Sequence, residues 1–361
     1  MKNMKQYILN NTLIAASFTV LILSSCSKKD NAMPANPAPI QTSGVVTTFA
    51  GSGSTGTVNG AGKAASFNYP NGVAVDAAGN VYVADKGNNE IRKITSTGTV
   101  SILSGTLAAG NSNTSTIGVS ATYNGPTGVA ADAHGNIFVA DFGNNLIRKI
   151  ASDGTVTTLA GGSKSGNTND VGTKALFNGP AGVAVDTSGN VYVADFANNL
   201  IRKITPAGAV TTLAGSGKVG SANGTGTAAT FNGPRGVAVD INKNVYVADA
   251  NNNLIRKIDS TGVVTTFAGT GSKGNASGSA TTASFYYPSG VALDAAGNLY
   301  VADALNNLVR KITPDGTVSS LAGSGNLSIT SPFNAPVSVA VNAAGNVFVA
   351  NEYGNIIQVI K

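Results

Sequence analysis

Pro70-Asn71-Gly72-Val73-Ala74-Val75-Asp76, then Gly79-Asn80-Val81-Tyr82-Val83-Ala84-Asp85, then Asn88-Asn89 and Ile91-Arg92-Lys93-Ile94, form a unit that the chain repeats. The opening returns at Pro126, Pro180, Pro234 and Pro288, and in weaker form at Pro336, at spacings of 56, 54, 54, 54 and 48 residues. A Thr-rich run closes the copies, as in Thr155-Val156-Thr157-Thr158-Leu159-Ala160-Gly161. The alternation within each run predicts four short strands, a to d, joined by tight turns with Gly where a positive φ is needed. No stretch after Gly44 keeps a helical period. A four-stranded antiparallel unit of about 50 residues, repeated radially, is a propeller blade. The expected fold is therefore all-β, a six-bladed β-propeller with four antiparallel strands per blade.

The two ends test this reading. The sixth copy stops at strand c, Ile356-Ile357-Gln358-Val359-Ile360-Lys361, while an orphan strand d, Val45-Val46-Thr47-Thr48-Phe49-Ala50-Gly51, precedes the first copy. Pairing the two closes the ring and removes open edges. Residues 44–361 then make six units of 53 residues with no second domain. Small residues recur in strand a at Ala74, Ala130, Ala184, Ala238, Ala292 and Ala340, as expected where six sheets converge.

The beginning of the chain reads as an address. Lys2 and Lys5 precede an apolar run over residues 12–23, too short to span a membrane permanently. It meets Leu23-Ser24-Ser25-Cys26, which resembles the lipobox of bacterial lipoproteins. That resemblance implies a signal peptide over 1–25, lipidation at Cys26 and an extended tether over 26–43 holding Pro34, Pro37 and Pro39. It places the protein in the cell envelope, lipid-anchored to the outer membrane on its periplasmic or surface side, with the membrane as one partner. Cleavage would remove Lys2 and Lys5 and lower the formal charge from +6 to +4.

The Pro-x-Gly-Val-Ala-Val-Asp, Gly-Asn-Val-Tyr-Val-Ala-Asp and Asn-Asn-x-Ile-Arg-Lys-Ile runs resemble NHL repeats, and the Gly-rich connectors are similar to those of teneurin-type and bacterial secreted NHL propellers. The resemblance spans nearly the whole mature chain. It implies the fold and leaves the activity open, because this architecture hosts binding modules, lyases and lactonases.

Composition removes several chemistries. The chain has 361 residues with 11% charged, 45 Gly, one His, one Cys and no Trp. A His-built zinc site, a Ser-His-Asp triad, a Cys-His dyad and a disulfide framework all need residues that are missing or present once. His134 sits at an a–b turn position. The Gly51, Gly215 and Gly269 runs match a dinucleotide-binding Gly pattern, but no helix follows to receive a phosphate.

The b–c loops and the d–a connectors are expected on one face. Each connector should be pinned by its aromatic residue: Phe67, Tyr123, Phe177, Phe231, Phe285 or Phe333. Beside the b–c loops end five acids, Asp85, Asp141, Asp195, Asp249 and Asp303. Their recurrence suits carboxylates that cap their own loops near the Asn pairs. The functional alternative is a ring of carboxylates at the axial mouth, with Asn351 and Glu352 of the sixth blade, able to hold Ca²⁺ or another divalent cation. Glu90 is the other Glu that the loops bring near. The Arg-Lys pairs of strand c read as solvated or Asp-paired rims, not a nucleic-acid surface. Blade six departs from the pattern at Ser338, Asn342, Asn351 and Gln358-Val359, which reads either as relaxation at the closure or as asymmetry for a ligand. The expectation is a monomeric, non-catalytic recognition propeller for a protein or glycan, without a required cofactor. The alternative is a metal-dependent, gluconolactonase-like hydrolase using the axial channel.

Overall fold

The computed structural model describes residues 43–113, 120–325 and 331–361. The leader over 1–25, Cys26 and the tether up to residue 42 lie outside them. The described chain forms six antiparallel sheets. Strand a of the blades is Pro70–Val75, Pro126–Ala131, Pro180–Val185, Pro234–Val239, Pro288–Leu293 and Pro336–Val341. Blade one continues with b at Val81–Asp85, c at Glu90–Ile94 and d at Thr99–Gly105, and the others follow its pattern. The orphan strand Val46–Ala50 pairs with Ile356–Ile360, placing Val46 opposite Ile360 and Thr48 opposite Gln358, with a bulge before Ala50. Blade two shows the same register within its own repeat, Val156 opposite Ile150 and Thr158 opposite Arg148. The closing pair is thus geometrically an ordinary c–d pair.

The alternation within strands is explained by the seams. In blade one, Tyr82, Ala84 and Ala74 pack against Val129, Ile137 and Val139 of blade two. Val73, Val81 and Val83 turn the other way, against Ala340, Phe348 and Ala350 of blade six. Each seam holds one such apolar cluster. Both faces of a blade are therefore apolar, unlike those of a half-solvated sheet. The aromatic pins are all buried. Tyr123 has a hydroxyl where the other five pins are Phe, and Ser104 meets it at 2.8 Å.

The closest convergence is at the glycine of Pro-x-Gly, two positions before the expected alanine. A Cβ on Gly72 would lie 2.2 Å from the carbonyl oxygen of Thr127, and one on Gly182 2.2 Å from that of Arg235. Gly128, Gly236 and Gly290 would clash similarly. Their φ values are not positive, so these five glycines are required for room and not for conformation. Ser338 occupies the sixth place, and its Oγ accepts the N–H of Val73 across the closing seam.

The connectors do not simply crown the upper face, where the b–c loops lie. They run along the outer edge of the next blade towards its lower turns: the Gly62, Gly172 and Gly226 N–H groups donate to the carbonyls of Gly98, Gly208 and Gly262 in c–d turns. In blades one, four and five they add a short fifth strand, Gly60–Ala61, Gly224–Thr225 and Gly278–Ser279. An outermost strand otherwise presents unpaired backbone groups, and the connector covers that edge.

Gly182→Ala should cost about 2–4 kcal/mol in denaturant unfolding, because the added methyl meets backbone that cannot yield; a loss below about 0.5 kcal/mol would contradict the tight neck. A second outcome concerns alkali. Burial, aided by the Asp76 and Asp294 carboxylates, pushes Tyr82 and Tyr300 up to about 12, and burial, aided by Asp141 against the pull of Ser104 and Arg148, does the same for Tyr123. The unfolded chain ionises these phenols near 10. Between those values the folded form holds more protons, so stability falls as pH rises from about 10 to about 12. Phenolate absorbance from these residues should appear together with loss of the β circular-dichroism signal; its full appearance near pH 10 with the fold intact would refute the assignment.

Candidate functional site

The five strand-b acids do not reach the axial mouth. Asp85, Asp141, Asp195, Asp249 and Asp303 are all fully buried. One oxygen of Asp85 accepts the backbone N–H of Asn68 at 2.7 Å; the other accepts Asn88 Nδ2 at 2.8 Å and the Arg92 guanidinium at 2.9 Å. The other four repeat this arrangement with Arg148, Arg202, Arg256 and Arg310. Of the two arrangements expected for those arginines, Asp-paired holds and solvated does not, since each is 0% exposed. Arg202 reaches onward to the Thr168 and Leu176 carbonyls and to Asn169 Oδ1 at 2.7 Å, and its guanidinium lies 5.1 Å from the Phe177 ring. The Asp–Arg pair therefore ties the b–c loop to the connector that wraps its own blade. Burial pushes Asp85, Asp141 and Asp303 up to about 6, against the pull of these N–H and guanidinium donors.

The Asn pair has two separate duties. The first, such as Asn198, donates to Asp195 and to the connector carbonyl of Gly166. The second, such as Asn199, sits in the left-handed region at φ 54, which Asn tolerates. Its Oδ1 accepts the N–H of the residue preceding the proline of the next blade, Gly233. This clasp recurs at all six seams at 2.8–3.0 Å, including Asn355 to Tyr69 at the closure. Blade six keeps that Asn and changes the clamp: Asn351 donates to Gln358 Oε1 at 2.8 Å and accepts the Asn334 N–H, while Gln358 donates to the Pro332 carbonyl. Both charges have gone and the hydrogen bonds remain. Glu90 is also buried, accepting from Thr57 at 2.9 Å. His134 is an exposed turn residue.

Of the seven anticipated site residues, only Glu352 comes beside the axis. An axial cavity of about 60 Å³ is lined by the Pro-x-Gly-Val segments. Its variable lining is the residue after each proline: Asn71, Thr127, Ala181, Arg235, Ser289 and Val337. Thr127 and Ser289 spend their hydroxyls on the carbonyls of Ala181 and Val337 in the next blade. Asn71 Nδ2 and Lys86 Nζ both donate to Glu352 Oε1 at 3.2 Å, and Glu352 Oε2 is buried without a hydrogen-bond partner. Arg235 lies between the Phe196 ring at 6.0 Å and the Tyr287 ring at 5.7 Å. Burial lowers its pKa, but Tyr287 and Glu352 more than offset this and raise it.

Around the cavity stand Tyr69 against Tyr353, with centroids 5.8 Å apart, and Phe142 beside Phe196 at 6.4 Å. Phe142 and Phe196 cover Gly179 and Gly233 of the following blades. At the equivalent place between blades four and five, small Ala250 faces the seam and Tyr287 supplies the ring. Among the described residues no three His, Cys, Asp or Glu side chains converge as a metal-ligand set. A cation entering this cavity would meet Arg235. The residues present therefore do not fit the axial divalent site expected of a gluconolactonase-like enzyme.

The arrangement can bind and orient a ligand through rings, one cation and a Lys–Glu pair. Reading the sequence did not reveal Arg235. Its signal was present, because the position after the proline varies in chemistry while Pro, Val and Ala around it hardly change.

Comparison with known proteins agrees with the repeat reading. The NHL repeat pattern matches residues 67–94, 123–150, 177–204 and 231–258, and the teneurin NHL domain pattern matches 270–350. NHL repeat-containing protein 2 of Bos taurus is 30% identical over 282 residues, covering 68% of this chain and 39% of its own length. The chain spans less than half the length of the first curated relatives it matches. Two solved propellers share the fold: an auxiliary nutrient binding protein from Bacteroides thetaiotaomicron, at TM-score 0.64, 15% identity and coverage of 89% of this chain and 77% of that one, and a gluconolactonase from Xanthomonas campestris, at TM-score 0.60, 14% identity and coverage of 91% and 98%.

Blade six suggests a test in blade three. Arg202→Gln alone leaves the Asp195 carboxylate buried without its cation and should cost about 3–5 kcal/mol. Asp195→Asn with Arg202→Gln should recover much of that, with a coupling of about 2–3 kcal/mol in a denaturant double-mutant cycle. Strict additivity would show that the pair does not act as one unit.

Proposed function

Because the chain belongs to the NHL-repeat family, we propose that it is a lipid-anchored binding protein of the cell envelope, taking a protein or glycan ligand on the face formed by its b–c loops and the upper ends of strand a. One observation carries the reading. Six repeats that agree in core and clasps, and five of them in the Asp–Arg clamp, diverge around the axial mouth, and they diverge in aromatic and charged side chains: Tyr69, Phe142, Phe196, Arg235, Tyr287 and Tyr353. Pockets that recognise ligands combine apolar rings with a few placed polar groups. The anchor is proposed from Leu23-Ser24-Ser25-Cys26 and from the polar, Pro-containing stretch after it.

The likeness in fold to a gluconolactonase favours a second reading, hydrolysis at the axial channel. The cavity lining speaks against it, since Arg235 stands where a metal would need carboxylates.

Two experiments separate these readings. Tyr69→Ala with Tyr353→Ala should abolish ligand binding on a glycan and envelope-protein array while shifting the melting temperature by no more than about 4 °C. Binding that survives these changes, or metal-dependent turnover of a sugar lactone, would overturn the binding assignment. Cys26→Ser should move the protein from the membrane fraction to the soluble fraction; unchanged membrane association would rule out the lipid anchor.

A further inference from the structure

Six arginines are present, and five are fully buried with a guanidinium nitrogen 2.8–3.2 Å from an Asp oxygen. Arg235 is the exception. It is half-buried at the axial mouth, and among the described residues no carboxylate lies within 4.0 Å of it. Its hydrogen-bond contact is a long one, 3.5 Å to the Tyr287 hydroxyl. The Phe196 and Tyr287 rings hold the guanidinium, which leaves its N–H edge for another partner. Glu352 pairs with Lys86 at 3.2 Å and also favours the charge on Arg235, so one carboxylate serves two cations and the three groups together leave a net positive charge.

We infer that the upper mouth takes an acidic oligosaccharide, with a sugar carboxylate on Arg235 and pyranose faces on the surrounding rings. This rests on the reading that the upper face binds a ligand. A guanidinium fork matches a planar carboxylate through two parallel N–H bonds, a geometry that an ammonium does not offer. Aromatic rings around the mouth offer flat apolar surfaces to the C–H faces of sugars, and their tyrosine hydroxyls suit sugar hydroxyls. The cavity of about 60 Å³ admits a small group or a few waters and not a sugar ring, so the chain of sugars lies across the rim. A peptide docking by strand addition would need a free sheet edge, whereas the inner edges of strand a face one another round the axis.

The test is titration calorimetry of the purified full chain with uronate hexamers (galacturonate, glucuronate-containing and mannuronate), the methyl ester of the galacturonate hexamer, and a hexaglutamate peptide. At least one uronate should bind about tenfold or more tightly than the ester and the peptide, and more weakly as salt rises from about 50 to about 300 mM. Arg235→Gln should weaken that binding about tenfold or more, and Arg235→Lys by an intermediate factor. Because Arg235 forms no ion pair within 4.0 Å among the described residues, the circular-dichroism melt of Arg235→Gln should stay close to that of the parent. Equal binding of the ester, or unchanged affinity in Arg235→Gln, overturns the carboxylate assignment and leaves the binding face standing. Tighter binding of hexaglutamate overturns it in favour of a protein ligand. Failure of every uronate also overturns it; if the array shows no ligand lost with Tyr69 and Tyr353, the binding reading falls too.

Discussion

The six inner strands approach one another to backbone contact, and that closeness governs where every other feature can be. A methyl group at Gly182 would meet the Arg235 carbonyl at 2.2 Å, and Gly72 faces Thr127 in the same way. The neck of the propeller is therefore main chain. Side chains can reach the axis only just above it, from the residue between Pro and Gly. The next available places are the residue before the proline and the residues after the strand-b acid. These are the positions where the repeats stop agreeing.

Away from the axis the repeats agree because each conserved polar group in the unit has a fixed partner. Asp and Arg hold the loop to the connector, the first Asn reinforces that hold, and the second Asn crosses to the next blade. Asn351 and Gln358 show what the fold needs from the clamp. With both charges exchanged for amides, Asn351 still accepts a backbone N–H of the connector and Gln358 still donates to a connector carbonyl. Burying an ion pair returns little net stability over a neutral set of the same shape, although breaking one is costly. The sixth clamp also serves a shorter connector, so the second arm of the guanidinium has less to hold.

The fold was legible because alternation, turn chemistry and repeat length all pointed to one answer, and the orphan strand at 45–51 supplied its own check. That Asp85 and its equivalents are structural was legible from their recurrence, but the backbone N–H that each accepts comes from the connector, Asn68 for Asp85, and not from its own loop, where only the Asn88 side chain reaches it. What could not be read was depth. Arg92 and Lys93 are neighbours in an exposed-looking strand, yet Arg92 is fully buried and Lys93 is not. Alternation says that they face opposite sides and does not say that a connector some 30 residues earlier folds over one of them. For the same reason Ala74 passed for the point of convergence that belongs to Gly72. The second Asn of each pair carries no mark in the sequence that its partner lies in the following blade.

A repeat protein contains its own control. Because six copies share one geometry, a side chain that differs at one position and gains nothing from its neighbours stands out. Thr127 and Ser289 differ from each other but both spend their hydroxyls on the next blade. Asn71 joins Lys86 on Glu352 across the closing seam. Arg235 has two rings and no ion pair within 4.0 Å among the described residues, at a place where Ala181 and Val337 show that a small apolar side chain is accepted. A half-buried cation with no anion in direct contact is a cost that packing alone does not recover. The Lys–Glu pair sits at the seam of blades six and one, while the lone cation stands on blade four. The mouth of a nearly six-fold ring is thereby given a direction, and whatever rests on it is turned the same way each time.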